Sequence, residues 1–257
     1  MNETETLAQK IAEAVRSVFG RPKKSHHTTA IVVAGGSSSR MGDGVSKQML
    51  KLHGMPVIVH TLLAFEKANS VDEIVVAAKP EELPLYRALA KEYGIAKLKK
   101  VVEGGETRQQ SVKNAFLAIS DKTDFVSIHD GARCLITTEE IERVNAAAYA
   151  SGAAAAAVRA EETVKCEKSG LIEKTLDRDH IYLARTPQAF GVNIYQTALA
   201  IAARDGVTVT DDCALVENID YRIRLVECSK HNIKITTQED IPLAAAILAM
   251  RDEEVTS

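Results

Sequence analysis

Apolar positions change their spacing along the chain, and the changes mark its elements. Leu7, Ile11, Val15, Val18 and Phe19 recur at helical spacing and stop at Gly20, after which Arg21-Pro22-Lys23-Lys24 reads as a linker. Residues 1–25 are therefore an N-terminal helical extension, expected to lie against the main domain or a neighbouring subunit. From Thr28 onward, short β-branched runs alternate with amphipathic segments. The predicted elements are strand Ala30–Val33, helix Pro56–Asn69, strand Glu73–Ala78, helix Glu81–Tyr93, strand Leu98–Val102, helix Arg108–Ser120, strand Phe125–His129 and helix Thr138–Ala150. Such alternation means βαβ units, hence an α/β fold with a mostly parallel sheet and helices on both faces.

The alternation falters over Glu161–Lys174. Thr163-Val164-Lys165-Cys166 and Lys168-Ser169-Gly170-Leu171-Ile172-Glu173-Lys174 read as a protruding two-stranded β-arm, about 161–176, turning at Ser169-Gly170. Helices at Asn193–Arg204, Asp211–Asn218 and Gln238–Met250, with strands at Ile223–Val226 and Lys234–Thr236, are expected to complete the sheet of the domain of residues 26–257. The Ala153–Ala157 run is either a strand or a tightly packed helix.

Composition narrows the function. At 257 residues the chain suits one large domain or two small ones, taking about 150 residues per domain. A hydrophobic fraction of 46% with 26% charged residues excludes disorder and a disulfide scaffold. The 32 Lys+Arg against 35 Asp+Glu, a net charge of -3, give no basic excess for nucleic acid or an anionic membrane, and the absence of Trp removes stacking platforms. Apolar runs such as Ala153 to Val158 are far short of the roughly 20 residues that span a bilayer. The acidic start Met-Asn-Glu-Thr-Glu-Thr lacks a secretory pattern, so the expected compartment is the cytoplasm, where Cys134, Cys166, Cys213 and Cys228, lacking C-x-x-C or zinc spacing, are buried or incidental thiols.

Three loops carry candidate chemistry. Ala34-Gly35-Gly36-Ser37-Ser38-Ser39-Arg40-Met41-Gly42 follows the first strand, with Lys47 a short step beyond. Glycines and serines at the carboxyl end of a parallel strand let backbone N–H groups approach phosphate oxygens, and Arg40 and Lys47 add charge. A simple turn is the other reading; the loop is not a Walker A loop and lacks the third dinucleotide glycine. Glu103-Gly104-Gly105-Glu106-Thr107-Arg108-Gln109-Gln110-Ser111-Val112 brings Gly105, Arg108 and Ser111 to a helix start, where donors can read a base edge; alternatively this is an ordinary turn capped by Thr107. Ser127-Ile128-His129-Asp130-Gly131-Ala132-Arg133 ends another strand. There Asp130 could hold a ribose hydroxyl or a magnesium ion, or simply pair with Arg133.

The first loop, with Arg40-Met41-Gly42 and Ser46-Lys47-Gln48 in register, resembles a nucleotidyltransferase signature. Adding the other two loops, Glu162-Thr163-Val164-Lys165, Thr175-Leu176-Asp177-Arg178, Thr186-Pro187-Gln188-Ala189-Phe190, Thr210-Asp211-Asp212 and Asn232-Ile233-Lys234-Ile235-Thr236, the chain from Thr28 to about Leu248 resembles the 2-C-methyl-D-erythritol 4-phosphate cytidylyltransferase family. The resemblance implies a Rossmann-like sheet of the nucleotide-diphospho-sugar transferase type and transfer of CMP from CTP to a polyol phosphate, with pyrophosphate released. It assigns Arg40, Lys47 and Lys234 to the triphosphate and transition state, and Ala34, Gly35, Gly36, Gly105, Glu106 and Ser111 to cytosine. Asp130 and Arg133 fall between ribose, metal and acceptor; Thr163 and Arg178 reach the acceptor phosphate from a partner subunit's arm in a homodimer, with Thr186 nearby. Mg²⁺ is implied, bound mainly through CTP phosphates. The family usually shows Ala-Ala-Gly where this chain has Ala34-Gly35-Gly36, alanine at Gly131, proline at Cys134, and Asp at Glu162 and often at Glu106.

The chemistry agrees with these roles. A phosphate monoester is ionised near neutral pH, so its attack on the α-phosphorus needs no general base. Repulsion between polyanions is the obstacle, and cations offset it. His53, His60, His129 and His180 are thus structural or solvent-facing, with His129 orienting the Asp130 loop. Two alternatives stand beside this reading: a ribitol-5-phosphate cytidylyltransferase, which shares most motifs, and a catalytically silent nucleotide-binding regulator.

Overall fold

The structure, a computed structural model, describes residues 26–36 and 46–256. The helical extension read at residues 1–25, and Arg40, lie outside the described residues.

A seven-stranded sheet forms from β1 (Thr28–Val33), β4 (Glu73–Ala78), β5 (Leu98–Glu103), β6 (Phe125–Asp130), β7 (Ala153–Arg159), β10 (Tyr182–Gly191) and β11 (Arg224–Glu227), in the order β11-β7-β10-β6-β1-β4-β5. Two-residue β2 (Lys51–Leu52) and β3 (Met55–Pro56) make a separate ribbon. Every neighbouring pair in the main sheet is parallel except those of β10, which runs antiparallel to both β6 and β7. Crossovers use α1 (Val57–Lys67), α2 (Leu83–Glu92), α3 (Arg108–Phe116) and α4 (Thr138–Ser151); α5 (Val192–Asp205), α6 (Asp212–Glu217) and α7 (Asp240–Thr256) follow.

The continuous apolar runs of β1 and β4 reflect burial on both sides, because successive side chains point to opposite faces. Ala30, Val32, Ile74 and Val76 pack with Ile58, Leu62, Phe65 and Tyr86; Ile31, Val75 and Ala77 pack on the other face with Val112, Phe116, Tyr195 and Leu215. The alanine run is β7. Its small side chains are buried and let Val144 and Ala148 of α4 approach Ala154 and Ala156 closely.

One expectation is corrected, and one strand had no reading in the sequence. Lys234–Thr236 is not a strand: the segment is irregular, tied by the Ile235 N–H to the Ala132 carbonyl (2.9 Å). The strand filling the sheet is β10, hidden in sequence by Arg185-Thr186-Pro187, where the register with β7 breaks between Ala184 and Gln188. The arm forms as read, from β8 (Lys165–Lys168) and β9 (Leu171–Thr175), with positive φ at both Ser169 and Gly170, as a two-residue hairpin turn requires. No helix among the described residues is long and apolar enough to cross a membrane.

Candidate active site

Parallel strands deliver their carboxyl ends to one edge, and the strand order reverses between β1 and β6, where open α/β sheets bind ligands. Val33 pairs with Asp130 in register, setting the first loop beside the His-Asp turn. Ala34 N–H donates to the Ala77 carbonyl (2.7 Å) and Gly104 N–H to that of Ala78 (2.8 Å), stitching the loop starts to the end of β4. Gly35 packs on this strand end, while Gly36 has open space where a side chain would stand.

The second loop is set by α3. Thr107 forms a reciprocal capping box with Gln110. Gly105 N–H donates to Ser111 Oγ (3.0 Å), and that hydroxyl donates to the Thr107 carbonyl (2.9 Å). Buried Ser111 therefore shapes the loop, and any Cβ on Gly105 would collide with Gln110. Glu106 is exposed at the rim.

Asp130 is the centre. Arg108 Nε lies 3.0 Å from Asp130 Oδ1, Lys234 Nζ 2.9 Å from Oδ2, and Arg133 Nε 3.6 Å from Oδ2. The Arg133 pairing read from sequence exists, but it is the loosest of the three. Burial alone would raise the Asp130 pKa; Arg108 and Lys234 outweigh it and hold the carboxyl well below the usual range. Arg133 is itself buried. Burial lowers its pKa, Asp130 opposes this, and nearby Arg185 lowers it further; its Nη1 donates to the Asn232 carbonyl (3.1 Å). Asn232 Nδ2 donates to the Thr186 carbonyl (2.9 Å), fixing the segment that carries Lys234. Thr186 Oγ1 accepts from Asp130 N–H (3.1 Å) and meets His129 Nδ1 (3.1 Å), while His129 Nε2 lies 3.2 Å from the Arg133 carbonyl. His129 thus orients the loop, as the sequence suggested.

Lys47 opens a 3-10 turn, Lys47–Met49, and is half-buried. Thr163 and Arg178 stand exposed at the arm; Arg178 Nη1 donates to the Glu161 carbonyl (2.9 Å) and shares no polar contact with the Asp130 cluster among the described residues. Two residues of the cluster had no role in the sequence reading. Asp212 sits behind Arg108, 2.7 Å from its Nη1, and Tyr195 Oη donates to Asp212 Oδ1 (2.6 Å). The Thr210-Asp211-Asp212 motif was the only signal for Asp212, and Tyr195 gave none.

Metal-ligand chemistry fits a limited role. Among the described residues no three His, Cys, Asp or Glu side chains gather as a cage. Mg²⁺ needs only one or two carboxylates when phosphates supply the rest, and Asp130 could serve once Lys234 releases Oδ2.

The model of the family described as 2-C-methyl-D-erythritol 4-phosphate cytidylyltransferase matches residues 28–250. A protein of that name from Chlorobium phaeovibrioides is 42% identical over 223 residues, covering 82% of this chain and 92% of that one. One from Geotalea uraniireducens is 42% identical, covering 85% and 95%. The fold also matches the crystal structure of 4-diphosphocytidyl-2C-methyl-D-erythritol synthase from Anaerococcus prevotii, with TM-score 0.78, 27% identity and coverage of 87% and 99%.

Proposed function

The chain belongs to the 2-C-methyl-D-erythritol 4-phosphate cytidylyltransferase family and is an enzyme that transfers CMP from CTP to 2-C-methyl-D-erythritol 4-phosphate, and we propose that it does so at the sheet edge around Asp130. The observation that carries this assignment is the ring of Arg108, Arg133 and Lys234 on one buried carboxylate, at the edge where the glycine loops converge. Such an excess of cations suits two polyanions brought together.

Cytosine lies against the backbone of Ala34, Gly35, Gly36 and Gly105, with Glu106 at its edge and Ser111 holding the loop. Asp130 accepts from a ribose hydroxyl. Lys234, Lys47 and Arg40 stabilise charge on the phosphates, and Arg133 and Thr186 receive the acceptor. The acceptor's phosphate oxygen attacks the α-phosphorus in line and pyrophosphate departs, with no proton to remove. Neutral His129, its pKa lowered by burial to about 4, is accordingly a scaffold and not a base. Asp130 would be the protein ligand for a Mg²⁺ brought with CTP, and the ion would supply charge neutralisation.

The active form is a homodimer in which Thr163 and Arg178 of each arm serve the other subunit's acceptor site. What supports this is Leu171 and Ile172, 73% and 68% exposed on a hairpin that needs a surface to pack on. The enzyme works in the cytoplasm, a reducing setting suited to four unpaired thiols, of which burial pushes Cys134 up to about 12 and Cys228 up to about 11.

Neither a ribitol-5-phosphate enzyme nor a silent regulator gains support from these relatives. The test is pyrophosphate release with each acceptor. CTP with methylerythritol phosphate should turn over at least tenfold more efficiently than CTP with ribitol 5-phosphate, or than ATP or GTP with either acceptor, as expected where unpaired polar groups penalise the wrong ligand. Equal efficiency with the ribitol ester would overturn the acceptor assignment, and equal efficiency with purines the base assignment.

A further inference from the structure

We propose that Arg108 and Asp212 are positioning residues for Asp130: Asp212 fixes Arg108 from behind, and Arg108 keeps the carboxylate aimed when the nucleotide's phosphates draw Lys234 away. The inference deepens the reading above and rests on its placing Asp130 and Lys234 against the nucleotide.

Two cations share most of the Asp130 charge, and they are held very differently. Lys234 is 35% exposed, on an irregular segment, and offers a compact ammonium on a flexible stem. Arg108 stands in the first turn of a nine-residue helix whose start is fixed by the Thr107 capping box. Its planar fork spans two carboxylates, Nε on Asp130 and Nη1 on Asp212. Asp212 is only 4% exposed, and it is fixed twice more, by the Tyr195 hydroxyl and by its own N–H on Gln188 Oε1 (3.0 Å). A triphosphate competes for the mobile ammonium; it cannot readily turn a guanidinium clamped between two buried carboxylates.

Asp212 lies behind Arg108 as seen from Asp130, so direct contact with substrate is not its task. Burial raises its pKa, and a buried carboxylate is costly unless paired. Its value is geometric. Without it Arg108 loses the second anchor that sets the direction of Nε, and with Lys234 on the phosphates Asp130 keeps Arg108 on Oδ1 and only the looser Arg133, 3.6 Å away, on Oδ2.

The test is a double-mutant cycle on the full-length chain, read by calorimetry of CTP binding and by kcat/KM. Asp212→Asn should weaken CTP binding and lower kcat/KM about tenfold, with Asp212→Glu recovering much of the loss. In an Asp130→Asn background the same change should alter both by less than about twofold, because the group it positions is gone. A full effect in both backgrounds would mean that Asp212 serves the fold alone, and no effect in the native background would remove it from the site; either result overturns the proposal. Should Asp212→Asn fail to fold, Arg108→Lys, which keeps the charge and loses the fork, runs the same cycle. Native protein that bound CTP but made no product with methylerythritol phosphate would refute the acceptor assignment, and the cycle would still be read on CTP binding.

Discussion

His129 is wholly buried, and burial lowers its pKa to about 4, beneath the 6.5 of an ordinary histidine. The folded protein therefore binds fewer protons here than the unfolded chain once pH falls below about 6.5, and stability declines through that range until the folded site itself protonates near pH 4. His60, also lowered by burial, acts in the same direction. Asp130, whose pKa is also depressed, acts in the same direction over a lower range: the stability it contributes is present above the usual carboxylate range and is lost only in stronger acid. Urea unfolding at pH 7 and pH 4.5 should therefore show a loss of about 2 kcal/mol attributable to His129. His129→Gln, with its own baseline, should show a correspondingly smaller decline. An unchanged decline would mean that His129 is not held neutral.

At the scale of elements, much was legible because two periodicities dominate. Glu73–Ala78 forms a strand over the residues read from its apolar run, and Ser169-Gly170 turns the arm as its residue types suggest. What failed had physical causes. In β10 the residues that bend it out of register, Arg185 to Pro187, include a polar pair and a proline, which interrupt the apolar alternation that marks a strand. Lys234–Thr236 alternates like a strand, yet the Ile235 N–H goes to the loop after β6 and the Thr236 N–H to Asp240, so no ladder forms. The candidate site was legible wherever its residues lay in a strand-end loop, since glycine and charge mark such loops locally. The Arg108–Asp212 pair joins two helices distant in sequence, and no spacing announces it. The Thr107 cap was legible as an alternative reading and is real alongside the loop's proposed role. Thr107→Ala should lower stability by about 1 kcal/mol in chemical denaturation. No loss would mean that Gln110 and Ser111 hold the α3 start without it.

For the whole molecule the question is whether one chain makes a site. The glycine loops, Asp130 and Lys234 converge within one subunit, but Thr163 and Arg178 stand out on an exposed arm whose second strand has no buried residue. A lone hairpin is marginal in water, and an isologous dimer would cover both arms at once. The most direct measurement is complementation between Lys47→Ala and Arg178→Ala, each expected to be inactive alone, mixed under conditions that exchange subunits. One site of each mixed dimer collects both defects, while the other takes Lys47 from one chain and Arg178 from its partner and is intact. Random exchange makes about half the dimers mixed, so CMP transfer to methylerythritol phosphate should return to roughly a quarter of the native rate. No recovery despite demonstrated exchange would contradict a site shared between subunits.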